Sequence, residues 1–167
     1  MIYHPQNKRE LRRCMDTLIN NKDYDFNKID VSLITDFSYL FYTWTRVVNK
    51  LDIRFWDVYN GINFSHMFED CKHFNTDLSY WNVSNGQIFS HMFSGCTDFN
   101  QDISGWIVDN GSVFNGMFFG CQNFNQDISG WNMKNAQDTT DMLYNTFSLQ
   151  YKDKIKKTWF EKYNIKI

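Results

Sequence analysis

Trp56, Trp81, Trp106 and Trp131 stand 25 residues apart, and Met67, Met92, Met117 and Met142 keep the same interval. Cys71, Cys96 and Cys121 share it, as do Phe74, Phe99, Phe124 and Phe64, Phe89, Phe114. Polar columns follow: Asp52, Asp77, Asp102, Asp127; Asn75, Asn100, Asn125; and Asn60, Asn85, Asn110, Asn135. So many columns in phase over four copies mark an internal repeat, and a period of about 20–50 residues means stacked repeat units. A degenerate copy lies upstream. Ile29-Asp30-Val31-Ser32 and Phe37-Ser38-Tyr39-Leu40-Phe41 parallel Trp81-Asn82-Val83-Ser84 and Phe89-Ser90-His91-Met92-Phe93 at an offset of 52, two periods plus two. The extra residues are expected within Tyr42 to Lys50.

One unit has a readable local chemistry. Ile103, Trp106 and Val108 are spaced as in a strand that sends three apolar side chains to one side. Ser84-Asn85-Gly86 supplies turn residues that tolerate positive φ. Phe89, Met92 and Phe93 lie at i, i+3 and i+4, the apolar face of a short helix, and Gly95 and Gly120 fit a helix end. The unit is expected to be strand, turn, short helix and return loop. Its apolar side can be buried only by stacking on identical neighbours. The expected fold is α/β: a leucine-rich-repeat-like right-handed solenoid with a short parallel sheet, short helices on the other side, and helical caps. The ladder accounts for an aromatic content of 19%.

Both ends should carry caps within one domain, 1–167: an N-terminal helical cap over 1–27, about five repeats over 28–149, and a C-terminal helical cap over 150–167. Asn7 with Glu10 forms a capping box ahead of the stripe Leu11, Cys14, Met15, Leu18, Ile19. Ile155, Trp159, Phe160 and Tyr163 give residues 150–164 an apolar face. Charge divides likewise. Residues 1–13 carry a net +3 and residues 151–167 a net +4, which against a whole-chain charge of −2 leaves −9 for the body. An acidic body argues against nucleic acid as the main ligand, since phosphate contacts need basic stripes. The basic ends are a solvated face or a contact to an anionic surface. No run of about 18 apolar residues exists, so no membrane span is expected. The first ten residues lack the apolar stretch of a signal peptide, so the expected location is cytoplasmic or in a virion.

The repeat resembles the BspA-like leucine-rich-repeat family in its 25-residue mycoplasma surface-protein form. Phe99-Asn100-Gln101-Asp102-Ile103-Ser104-Gly105-Trp106 and Phe124-Asn125-Gln126-Asp127-Ile128-Ser129-Gly130-Trp131 carry the resemblance, with Met92-Phe93 and Met117-Phe118. The resemblance covers about residues 28–149. It implies a surface or interaction module, and occurrence in bacteria, protists or large DNA viruses. The nineteen asparagines and abundant Lys, Ile, Tyr and Phe suggest an AT-rich genome. Together these point to a giant virus and an intracellular or virion protein.

Candidate chemistry is sparse. The column cysteines, one rung apart, are expected as small buried thiols rather than disulfides. The aspartate column is either a row of Asx-type caps on backbone N–H groups or a row of Ca²⁺ sites. The asparagines should bond between rungs or to turns. Asn63, Asn82 and Asn110 open N-x-S sequons. His66 and His91 could approach each other, while the third copy has Gly116. No nucleophile, base and oxyanion donor converge, so no enzyme activity, cofactor or metal is expected.

The positions between the inward Ile, Trp and Val should face outward. Apolar residues break in there at Phe55, Tyr80 and Ile107, and Arg54, Phe55, Asp57, Tyr80, Asn82, Ile107 and Asn132 form the expected partner face. The expected function is a non-enzymatic protein–protein interaction module. The alternative is a structural component of a virus particle or larger assembly, with a surface adhesin behind both.

Overall fold

The computed structural model of the chain describes residues 2–42, 44 and 48–167. Its regular elements are helix α1, Lys8–Asn20, helix α2, Lys152–Tyr163, and single 3-10 turns at Phe26–Lys28 and Val48–Lys50. Between the ends, successive coils of chain lie one over the next, and like residues meet. Phe64, Phe89 and Phe114 stack at 5.5 and 5.3 Å, nearly parallel. Phe68, Phe93 and Phe118 stack at 5.6 and 5.7 Å. Trp56 lies 6.4 Å from Trp81, and Trp106 the same from Trp131. These separations fall in the range where offset aromatic pairs attract. Every column Phe, Met, Trp and Cys from residue 56 to residue 124 is buried.

The expected sheet and repeat helices do not form. Among the described residues there is no strand, and adjacent coils share only isolated parallel bridges: Asp36 with Asn63, Asn63 with Ile88, Ile88 with Val113, and Val113 with Asp138. The α/β leucine-rich-repeat architecture is therefore corrected to stacked coils built from turns. The segment read as a strand is a tight turn. Trp106 N–H donates to the Ile103 carbonyl at 3.0 Å, so both side chains point inward from the two ends of one turn. The segment read as a helix is three more turns, with N–H bonds from Met92 to Phe89, Ser94 to His91 and Cys96 to Phe93. Left-handed backbone recurs at His66, His91, Gly116 and Asp141, and again at Asp70, Gly95, Gly120 and Asn145. Neither a helix nor a strand continues through a residue of positive φ. Gly95 and Gly120 supply positive φ as expected, but to a turn inside the coil.

Over the four alternate residues that follow each bridge the hydrogen bonds run one way, whereas in the return loop the Asp98 and Asn123 N–H groups bond back to the Lys72 and Thr97 carbonyls. The N–H groups of Phe64, His66, Phe68 and Asp70 donate to the carbonyls of Ile88, Ser90, Met92 and Ser94 at 2.8–2.9 Å. The same four-bond ladder recurs one period later, from Phe89, His91, Phe93 and Gly95, and again from Phe114, Gly116, Phe118 and Gly120. A parallel strand pair sends bonds alternately in both directions; here all four donors face the next coil. Alternate N–H groups close turns within the coil, so the backbone is satisfied without a sheet. The upstream copy joins the array two residues out of period: Phe37 stacks on Phe64 at 5.3 Å. Of the segment expected to absorb the extra residues, 43 and 45–47 lie outside the described residues.

The caps form close to where they are expected. Asn7 is the N-cap of α1; its side chain accepts from the Glu10 N–H at 3.0 Å, while the Gln6 N–H donates to Glu10 at 2.8 Å. Leu11, Met15 and Leu18 are buried. On α2, Ile155 and Trp159 are buried, whereas Phe160, expected in the apolar face, is 51% exposed. Neither helix is long and apolar enough to cross a membrane.

Phe93 lies between Phe68 and Phe118 with no exposed surface. Phe93→Ala should lower the unfolding free energy by about 3–5 kcal/mol in chemical denaturation, the usual cost of emptying a buried ring.

Candidate functional site

The expected partner face lies on coil corners rather than on a sheet. Arg54-Phe55 and Ser79-Tyr80 occupy the tips of the turns closed by Trp56 N–H to Ile53 and Trp81 N–H to Leu78. Successive coils place Phe55 and Tyr80 5.5 Å apart, 63% and 68% exposed. The Arg54 guanidinium binds Asp52 through two nitrogens at 3.0 and 2.8 Å and sits 5.4 Å over the Phe55 ring. That clamp holds the Asp52 carboxyl well below the ordinary carboxylate range. Ile107 is exposed in the neighbouring column, one coil beyond Tyr80.

The remaining predicted face residues are tied to their own backbone. Asp57 accepts from the Tyr59 N–H and Asn82 from the Ser84 N–H, both at 3.1 Å. Asn132 accepts from the Lys134 N–H at 3.3 Å and donates to the Asp109 carboxylate of the preceding coil at 3.0 Å. The structure thus gathers Arg54, Phe55 and Tyr80 into one patch, leaves Ile107 exposed two positions along the next coil, and uses Asp57, Asn82 and Asn132 to shape turns.

Other polar columns are likewise structural. Asp52, Asp77, Asp102 and Asp127 each accept the backbone N–H two residues on, at 2.9–3.2 Å. This is the Asx arrangement, one of the two expected. Asn60, Asn85, Asn110 and Asn135 donate to carbonyls of the preceding coil at 2.7–2.9 Å. Asn75 and Asn100 accept from the N–H groups of Asn100 and Asn125, one coil on. All four cysteines are free. Cys96 and Cys121 donate to the Phe68 and Phe93 carbonyls at 2.9 Å, and burial pushes the Cys71 thiol up to about 12.

His66 and His91 do meet, stacked at 5.0 Å, with Tyr39 on the other face of His66 at 4.4 Å. His66 Nδ1 lies 2.8 Å from Glu69. The ring column ends at Gly116, where an added Cβ would collide with the His91 ring. Beside it opens a pocket of about 240 Å³ lined by Glu69, His91, Asn115, Phe119 and Asp141. Tyr39 was not singled out from the sequence, although the 27-residue offset of the first coil places it in the histidine column. Two exposed aromatics of the last coil, Tyr144 and Phe147, were also missed. Their signal is an aromatic in a column that reads Glu, Ser, Phe for Tyr144 and Lys, Thr, Gln for Phe147 in the preceding copies.

The family described as "Mycoplasma protein of unknown function, DUF285" matches residues 10–113 and 88–164. No curated protein and no solved structure matches the chain.

The Ser104 hydroxyl and N–H hold the Asp102 carboxyl below its ordinary value. A depressed folded-state pKa contributes stability above the unfolded value of about 3.9. That contribution is lost as pH falls through the folded-state value. Asp102→Asn keeps the acceptor oxygen but cannot titrate, so its melting temperature should fall less steeply on acidification than that of the parent chain. Thiol titration should find four reactive cysteines after denaturation, whereas buried Cys71, Cys96 and Cys121 should resist the reagent in the folded protein.

Proposed function

Since the chain belongs to the DUF285 family, whose description assigns no activity, we propose that it is a non-enzymatic protein–protein interaction module. Its contact surface is the corner row Arg54, Phe55, Tyr80 and Ile107. The observation that carries this reading is the exposed Phe55–Tyr80 pair, with Arg54 held over it by Asp52. Both rings project from turns whose backbones are fixed by the coil stack, so little backbone freedom remains to be lost on binding. Aromatic residues and arginine on a rigid base are what binding hot spots are made of. The polar columns around them are spent on the fold, which concentrates contact energy in the few positions that break the pattern.

Sequence kinship with the BspA-like repeats belongs to this proposal. It rests on the 25-residue period and on the motifs at 99–106 and 124–131, not on a leucine-rich-repeat architecture.

The combined variant Phe55→Ala, Tyr80→Ala and Ile107→Ala should abolish capture of a specific partner in pull-down experiments. Its melting temperature should stay within a few degrees of the parent value, since exposed side chains contribute about 0.5 kcal/mol or less. The alternative roles, a component of a virus particle or other assembly and a surface adhesin, are tested by the same variant. Unchanged incorporation into purified particles, or unchanged glycan binding, with no partner lost would replace the interaction reading.

A further inference from the structure

One column of the stack changes its chemistry along its length, and the change leaves a gap. Tyr39, His66, His91, Gly116 and Asp141 take the same place on five successive coils, and all five have positive φ, between 52° and 60°. Like backbones send their side chains off in like directions, so the column runs ring, ring, ring, nothing, carboxylate. The three rings stack at 4.4 and 5.0 Å. At Gly116 the His91 ring leans over the next coil so closely that a Cβ there would collide with it.

The pocket of about 240 Å³ opens at this gap. Clefts that take whole drug-sized ligands measure about 300–1,000 Å³, so this one suits a group the size of a single side chain. The His91 and Phe119 rings give it apolar faces, Glu69 and Asp141 give it carboxylates, and no lysine or arginine lines it. Phe119 is backed by Tyr144 at 5.2 Å. Asn115 Nδ2 lies 3.3 Å from His91 Nε2. An amide nitrogen can only donate, so this ring nitrogen accepts and the imidazole is uncharged. Glu69 already engages His66 Nδ1 through Oε2 at 2.8 Å. Asp138 accepts the Thr140 N–H at 3.0 Å, whereas the exposed Asp141 carboxylate has no hydrogen-bond or ion-pair partner among the described residues.

We propose that this gap binds a guanidinium group. The planar cation stacks against the His91 ring as the missing member of the column and turns its N–H fork to the Asp141 carboxylate, with Glu69 and the Phe119 ring in the surrounding wall. A neutral ring would extend the column but leave two carboxylates without a counter-charge. An ammonium would balance the charge but has no flat face to stack. A guanidinium meets both demands. The same chemistry comes from an arginine side chain of another protein or from free arginine, and the experiment below separates the two. This site is distinct from the Phe55–Tyr80 patch and does not rest on its role.

Titration of the full chain with the capped peptide acetyl-Gly-Arg-Gly-amide, followed by NMR, tests the assignment. The amides of Gly116 and Asp141 and the ring protons of His91 should shift together and saturate. The citrulline peptide, equally planar but uncharged, and the lysine peptide, charged but not planar, should each bind about fivefold more weakly. Asp141→Asn keeps the side-chain shape, and asparagine accepts the positive φ. It should weaken the arginine peptide about fivefold while its melting temperature stays near the parent value. The Phe55→Ala, Tyr80→Ala, Ile107→Ala variant should bind the peptide as the parent does, so the two sites fail independently. Free L-arginine binding tighter than the capped peptide assigns the site to the amino acid, and weaker binding assigns it to a protein segment. Three results would each overturn the proposal: no saturable shift at these residues, equal affinity for the arginine peptide and either analogue, and an Asp141→Asn affinity equal to that of the parent.

Discussion

Each coil satisfies its backbone in two directions at once, and the rest of the molecule depends on that division. Alternate N–H groups close tight turns inside the coil, while those between them bond to the coil that follows. A buried backbone donor left unpaired is costly, so the coils must lie in one register. That register brings Phe over Phe, Trp over Trp and Cys over Cys. The aromatic columns then contribute the apolar burial that the turns, taken singly, cannot supply.

The same arrangement decides what the polar columns do. The Asp column caps turns, one Asn column bonds back to the preceding coil, and the other accepts from the coil ahead. Such side chains are occupied before any ligand arrives. The side chains left unoccupied are those where a column breaks its own rule. Phe55 and Tyr80 give way to Gly105 and Gly130, and Ile107 stands among Asp57, Asn82 and Asn132.

Much of this was legible before any coordinates. The period, the buried columns and the two capping helices follow from residue type and spacing, which also narrow Asp102 and Asn110 to two roles each. The strand and the short helix of the repeat did not survive, for a definite reason. Apolar residues three apart mark one face of a helix, yet they equally mark the two ends of a tight turn, as Ile103 and Trp106 do here. Positive φ at His66, His91 and Asp141 separates the two cases; His and Asp are enriched in that region but adopt it in only a small minority of positions. Phe160 was misplaced because a face drawn around α2 does not say how much of it the last coil can cover.

Repetition in the sequence determined that like side chains would share a column and that the ends would need covers, because identical units have identical surfaces to bury. Which secondary structure carries the repeat was decided only by the stack. An isolated coil of this kind has half its backbone donors unanswered, and only the next coil supplies the carbonyls that make a turn-built, left-handed-punctuated path cheaper than a helix or a strand. The tertiary structure alone also set which outward residues meet. Phe55 and Tyr80 became a pair, and Asp57, Asn82 and Asn132 became part of the scaffold, through the position of turns that spacing does not specify.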